Sequence, residues 1–214
     1  MMYEPIRRFA NMHLCRVALL CAVLFCLPAC AAMFDPGPPM KQILLSVEVP
    51  PAARPLRPLP LQLLVMSPIP SAGTGTDRIV ALMNGYEIKS LDSAKWLEPV
   101  PKMFQRLLIE TLDGSGRFVS VSQEESSQDS RVRLVSEISH FYLRYAESGE
   151  PPVVEIGCTF TLANMESGAI LGRTHVLKTS PCTENREGAI VAAFGEAMKD
   201  VLVTVRDWAV ATLK

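Results

Sequence analysis

The sequence predicts an α/β fold: a mixed, largely antiparallel sheet of six or seven strands packed with two amphipathic helices. Three observations carry this. Short apolar or alternating segments pair across tight turns, which demands antiparallel neighbours. Two longer stretches, one opened by Pro99 and Pro101 and one over about 185–213, repeat apolar residues at helical spacing. The first helix separates strands, and a helical crossover permits parallel pairs, so the sheet is mixed.

The chain begins with a basic flank, Arg7, Arg8 and Arg16, and an apolar run over 17–27 that ends in Leu27-Pro28-Ala29-Cys30. A positive n-region, a short apolar run and a small residue at the cut form the pattern of a secretion signal. The run is shorter than the roughly 20 apolar residues that span a bilayer. With cysteine directly after the cut, residues 1–29 read as a lipoprotein signal peptide and Cys30 as the lipidated first residue of the mature chain. Pro28 is less usual than a small residue at its position, and a plain signal cut near Ala29 with Cys30 a bystander is the alternative. Met12 offers an alternative start, since residues 1–11 add length that a signal does not need. An acylated cysteine anchors a domain to a membrane without spanning it. Ala31, in place of an aspartate, favours an outer-membrane anchor facing the periplasm.

Residues 30–40 then form the lipidated N-terminus and a flexible tether rich in proline and glycine. The domain proper is 41–214. It opens with a strand over 41–49, followed by a proline-rich connector over 50–60 that blocks sheet pairing. A short apolar strand covers 61–66, and the glycine-containing loop 71–76 lacks the spacing of a phosphate cradle. Strands at 78–83 and 86–90 form a hairpin across Asn84-Gly85, a pair that tolerates positive φ. Val100, Phe104, Leu107, Leu108, Thr111 and Leu112 share one face of the first helix, which Gly114 and Gly116 stop. Strands follow at 117–121 and 131–145, the latter irregular near His140, with a polar surface loop over 122–130 between them. The segments 153–163 and 169–180 make a second hairpin. In the last helix Ile190, Phe194, Met198, Val201, Val205 and Trp208 form a stripe that packs on the sheet.

Six cysteines suggest a disulfide framework, but Cys15, Cys21 and Cys26 lie in the signal and Cys30 carries lipid. Cys158 and Cys182 are the pair left for a disulfide in an oxidising compartment. In the second hairpin Cys158 faces a residue near 175, and Cys182 lies about seven residues on, over 20 Å along a strand. A disulfide needs Cα atoms within about 7 Å, so only a sharp reversal after Pro181 would close the gap. The 21 basic and 22 acidic residues of the whole chain become 18 and 21 once Arg7, Arg8, Arg16 and Glu4 leave with the signal, which gives no support for nucleic-acid binding. His140 and His175 stand far apart in sequence and in no metal-ligand spacing, and no nucleophile elbow or nucleotide loop is present. The expectation is a protein that is not an enzyme and takes no cofactor or metal.

The motifs Asp77-Arg78-Ile79-Val80, Lys95-Trp96-Leu97-Glu98-Pro99-Val100-Pro101, Leu107-Leu108-Ile109-Glu110-Thr111-Leu112 and Gly116-Arg117-Phe118 come in an order that resembles the ABC-type transport auxiliary lipoprotein family. The segments 136–141, 168–174 and Ala192-Ala193-Phe194 resemble its later half. The first strand departs from the family, with Ile43-Leu44-Leu45-Ser46-Val47 where a tyrosine-rich segment is expected. The resemblance implies a docking subunit that works with an MCE-domain protein and, through it, an ABC permease and ATPase, in moving phospholipids or other hydrophobic molecules across the envelope. It also implies that Trp96 sets the entry of the first helix. A homo-oligomer is compatible with this. Alternatives from other classes are a periplasmic lipid carrier with its own apolar pocket and a regulator of a cell-envelope enzyme.

Overall fold

The computed structural model describes residues 39–51, 58–123, 131–146 and 149–214. The signal, Cys30 and most of the tether lie outside the described residues. In chain order the elements are β1 (Lys41–Ile43), β2 (Leu59–Val65), β3 (Ile69–Pro70), β4 (Arg78–Met83), β5 (Glu87–Trp96), α1 (Val100–Gly114), β6 (Phe118–Ser122), β7 (Val132–Arg144), β8 (Val153–Asn164), β9 (Ile170–Pro181) and α2 (Glu187–Thr212).

The predicted class holds, with nine strands among the described residues in place of six or seven. The spine is β7. Along one edge it pairs antiparallel with β8 over nearly its full length, and β8 pairs antiparallel with β9 in the same way. Along its other edge it meets three strands in succession, all parallel: β2 at Val132–Leu134, β3 at Glu137 and Ile138, and β4 at Leu143 and Arg144. The sheet then branches, with β6 parallel to β2, β5 antiparallel to β4, and β1 parallel to β5. The antiparallel ladders are long and the parallel ones short.

Both helices join one core with the sheet. On β8 the alternating residues Val154, Ile156, Cys158, Phe160 and Leu162 are buried and meet the stripes of α1 and α2. An aromatic cluster sits at its centre. Trp96 meets Phe194 edge-on with centroids 5.1 Å apart, and Phe141 stacks on Phe194 at 5.0 Å. Such pairs stabilise beyond the area they bury.

The predicted helix signals act as read. Pro101 occupies the first turn of α1, where an amide hydrogen would lack a helical partner. The Val100 amide donates instead to the Thr76 carbonyl at 3.0 Å. Gly116, at φ 61°, ends the helix with its amide on Asp113 O. Asn84 and Gly85 both take positive φ at the β4–β5 turn. The irregularity near His140 is a register shift between Ile138 and His140, opposite Gly157. A β-carbon on Gly157 would collide with the His140 ring, so glycine there makes room for the imidazole.

Three expectations change. The strand expected over 41–49 pairs only through Ile43, and residues 44–49 run on with no sheet partner. Leu45 is buried and Val47 and Val49 pack against the core, so the alternation is satisfied by helices rather than by a strand. Two arginines clasp this strap: Arg106 Nη2 of α1 donates to Leu45 O at 3.2 Å, and Arg206 Nη1 of α2 donates to Pro50 O at 2.6 Å. The strand expected to end at residue 90 continues to Trp96. Between the strand expected over 61–66 and the loop 71–76, where no element is expected, lies the two-residue β3, whose existence depends wholly on β7. The connector segment 52–57 and loop segment 124–130 lie outside the described residues.

Two buried polar side chains on the core side differ in their prospects. Arg206 is 5% exposed and satisfied by Pro50 O and Asp207, whereas Ser136 is fully buried and its hydroxyl has no partner. Cutting Arg206 to alanine strands the Pro50 carbonyl, and urea unfolding is expected to show a loss of about 2 kcal/mol. Ser136→Ala removes an unpaired hydroxyl and leaves stability unchanged or higher by up to about 1 kcal/mol in the same assay.

Candidate functional site

The motif residues, separated in sequence, come together in the fold. Arg78 of β4 lies opposite Lys95 of β5, and Lys95 Nζ reaches Asp77 Oδ2 at 2.7 Å. This bond and the ammonium charge hold the Asp77 carboxyl below its usual range. The Asp77 carbonyl accepts from the Trp96 amide at 2.7 Å. The chain leaves Trp96 through Leu97, Glu98 and Pro99 directly into α1. Glu98 then pairs with Arg106 at 2.8 Å, and Arg106 also pairs with Glu110 one turn on. Burial works against the charge on this guanidinium, but the two carboxylates outweigh it and raise its pKa. The block is therefore a junction joining β4, β5, α1 and the strap. Trp96 is fully buried in it, in keeping with a role in setting the helix entry.

Beside the junction an open groove of about 570 Å³ runs along α1 to the end of β6, lined by Glu98, Lys102, Arg106, Ile109 and Val121. A second, of about 500 Å³, separates the strap from the first half of α2, with Leu44, Val47, Val191 and Lys199 on its walls. Both combine apolar floors with charged rims, a composition suited to a protein partner.

His140 and His175 stand on β7 and β9 with β8 between them. His140 Nδ1 lies 2.9 Å from Ser139 Oγ, and His175 Nδ1 lies 3.2 Å from Thr159 Oγ1. The fold does not bring them together as a pair. Among the described residues no group of three or more His, Cys, Asp or Glu could hold a metal ion. No helix among them is long and apolar enough to cross a membrane.

Arg117, in sequence only one member of the Gly116-Arg117-Phe118 motif, is 4% exposed and its Nε and Nη1 find no partner. It lies just past the end of α1, where the helix dipole favours a cation. Nothing in the local sequence distinguishes it from a surface arginine.

Cys158 and Cys182 are free thiols, both buried. Cys158 faces Val176 within the β8–β9 ladder, and Cys182 lies beyond its last pair, Val153 with Pro181. Burial pushes the Cys158 thiol from 9.0 up to about 12, and raises Cys182 as well. A thiol with a raised folded pKa binds its proton more tightly when folded. Its contribution to stability is therefore complete below the unfolded pKa near 9 and is lost as pH rises from there toward 12. Urea midpoints are expected to hold steady through neutral pH and fall above about 9. Neutral maleimide should leave both thiols unmodified in the native protein and label both in urea, as read by mass spectrometry.

Comparison with known proteins agrees with this architecture. The crystal structure of a Xanthomonas campestris protein of the DUF330 family is similar, with a TM-score of 0.72 at 21% identity, covering 80% of this chain and 96% of that one. The crystal structure of an uncharacterized protein gives a TM-score of 0.64 at 12% identity, over 80% of this chain and 99% of that one. A hypothetical protein from Chlamydia trachomatis gives 0.52 at 4% identity, over 72% and 98%. At these identities the likeness is one of fold. No curated protein matches the sequence. The profile of one family spans residues 44–205, from the strap to the last turns of α2, and takes in the whole junction. The chain belongs to the ABC-type transport auxiliary lipoprotein component family.

Proposed function

We propose that this protein is a lipid-anchored docking subunit of an ABC-type transport system, held by Cys30 at the periplasmic face of the outer membrane. In this reading it binds an MCE-domain protein and, through it, serves a permease and ATPase that move phospholipids or other hydrophobic molecules. The observation that carries the proposal is the family match over 44–205, preceded by a lipobox at residues 27–30. The packing supports a role in contact rather than in chemistry. The aromatic residues that could cradle a lipid, Trp96, Phe104, Phe141, Phe160 and Phe194, are packed against one another or against the core. The charged residues of the junction neutralise one another and leave open grooves flanking a rigid helix.

The acylated mature protein, co-expressed with an MCE partner and taken up in mild detergent, is expected to retain that partner on an affinity tag. Loss of the partner under these conditions counts against docking. Organic extracts of the purified protein are expected to contain no phospholipid at stoichiometric level beyond the covalent acyl chains, and a bound phospholipid would favour the carrier alternative.

A further inference from the structure

Among the described residues β9 is the long open edge of the sheet. It pairs with β8 alone and runs for 12 residues, whereas the outer strands β1 and β6 have 3 and 5. β5 is also open ahead of Ala94, but its register on β4 breaks between Ser90 and Lys95. From Gly172 to Pro181 the register of β9 on β8 is unbroken. A strand added to an edge is held by main-chain hydrogen bonds, so it needs a regular run of this length.

The ladder fixes which backbone groups of β9 face outward. In an antiparallel pair, opposite residues alternate between exchanging hydrogen bonds and exchanging none. Just past the last pair of the ladder, the Cys182 amide donates to Pro152 O at 2.9 Å, which makes these two a bonded pair. Counting back in the same register, Ser180, Lys178, Val176, Thr174 and Gly172 turn their amides and carbonyls to β8. Those of Arg173, His175, Leu177 and Thr179 therefore point away from the sheet. The other side of β8 gives the same phase. The Met165 amide donates to Arg131 O, which assigns the odd-numbered residues of β8 to β7 and leaves the even-numbered ones to β9. No backbone bond among the described residues reaches the four outward amides and carbonyls.

The side chains of the same four residues lie on the sheet face away from α2. A β-carbon on Gly172 would collide with Thr212 of α2, and Val176 is buried, so the alternate positions take the open face. Arg173, His175, Leu177 and Thr179 are all exposed. Lys178 is half-buried on the α2 side. The strand thus carries Arg173 on one face, Lys178 on the other, and no carboxylate on either. Glu137 approaches Arg173 only to 3.9 Å, with both side chains more than half exposed, so the guanidinium stays available. Two copies joined edge to edge would bring Arg173 and Lys178 from each to one ribbon without a β9 carboxylate to balance them. Charged edges of this kind oppose self-pairing and favour a strand of opposite sign.

We infer that the outer edge of β9, from Gly172 to Ser180, takes an extended acidic segment of the docking partner as a further strand of the sheet. The outward amides and carbonyls of Arg173, His175, Leu177 and Thr179 bond its backbone, and Arg173 and Lys178 hold its carboxylates. The inference rests on the docking reading given above.

The test uses the acylated mature protein in mild detergent and a fluorescein-labelled probe peptide, Thr-Glu-Val-Glu-Val-Glu-Thr, followed by anisotropy. Its Kd is expected at about 10–100 μM at low salt, weakening as salt rises. Leu177→Pro removes one outward amide and no bond to β8, as proline at an open edge allows. It should weaken the peptide by at least about tenfold while the urea midpoint shows a folded protein. Arg173→Glu combined with Lys178→Glu, both surface changes, should lose this peptide and gain its counterpart with lysine at each glutamate position. The peptide fails the inference if it does not bind wild type, if Leu177→Pro binds it equally, or if wild type binds the lysine counterpart as well. Sedimentation that shows a dimer which Leu177→Pro splits overturns it too, and gives the edge to a second copy. An MCE partner retained equally by wild type and both variants leaves docking standing and removes β9 as its surface. A partner that wild type does not retain refutes docking, and the inference with it.

Discussion

The ladder between β7 and β8 is the interaction on which the rest of the molecule depends. These two strands carry the buried residues Leu134, Ile138, Phe141, Val154, Ile156 and Phe160 at the centre of the core, and every other strand but β9 is joined to β8 only through β7. Because β7 meets β2, β3 and β4 at successive positions along one edge, its register sets theirs. A one-residue slip would turn Leu134, Ser136 and Ile138 out of the core and bring Arg133, Val135 and Glu137 in. The burial of two charged side chains makes that slip costly, and the hydrophobic alternation of β8 opposes it independently.

From this ladder the family motifs acquire a physical meaning. Asp77, Lys95 and Trp96 form a corner where a hairpin hands the chain to a helix. One carboxylate–ammonium contact, two backbone bonds donated by Trp96 and Val100 to the carbonyls of Asp77 and Thr76, and a buried indole fix the angle of α1 over the sheet. With α1 fixed, Arg106 can reach the strap and the carboxylates on either side of it. Rigidity of this kind would serve the docking role proposed above, because ordering a loose surface on binding would cost affinity.

Much of this was legible in the residues. Pro101, Gly116 and the Asn84-Gly85 pair act locally, through backbone geometry that any sequence context shares, so the elements they bound were found. Residues 44–49 mimic a strand in sequence because Leu45, Val47 and Val49 alternate in the same way whether a strand or a pair of helices covers them. β3 has no signal of its own, since two residues become a strand only by lying beside Glu137 and Ile138. The burial of Arg206 and Arg117 was equally invisible: an arginine declares its environment only through partners distant in sequence, such as Pro50 for Arg206. The junction could be recognised as a motif but not as a place, because Asp77 and Lys95 meet only after the hairpin closes.

The strap has a mechanical consequence. A pull on Lys41 directed along β1 loads its hydrogen bonds to β5 together in shear rather than opening them one at a time. Beyond Ile43 the same load passes to the guanidinium groups of Arg106 and Arg206, which tie it to both helices. Tension from an envelope in motion would thus be spread over the whole body of the protein before any single contact had to give.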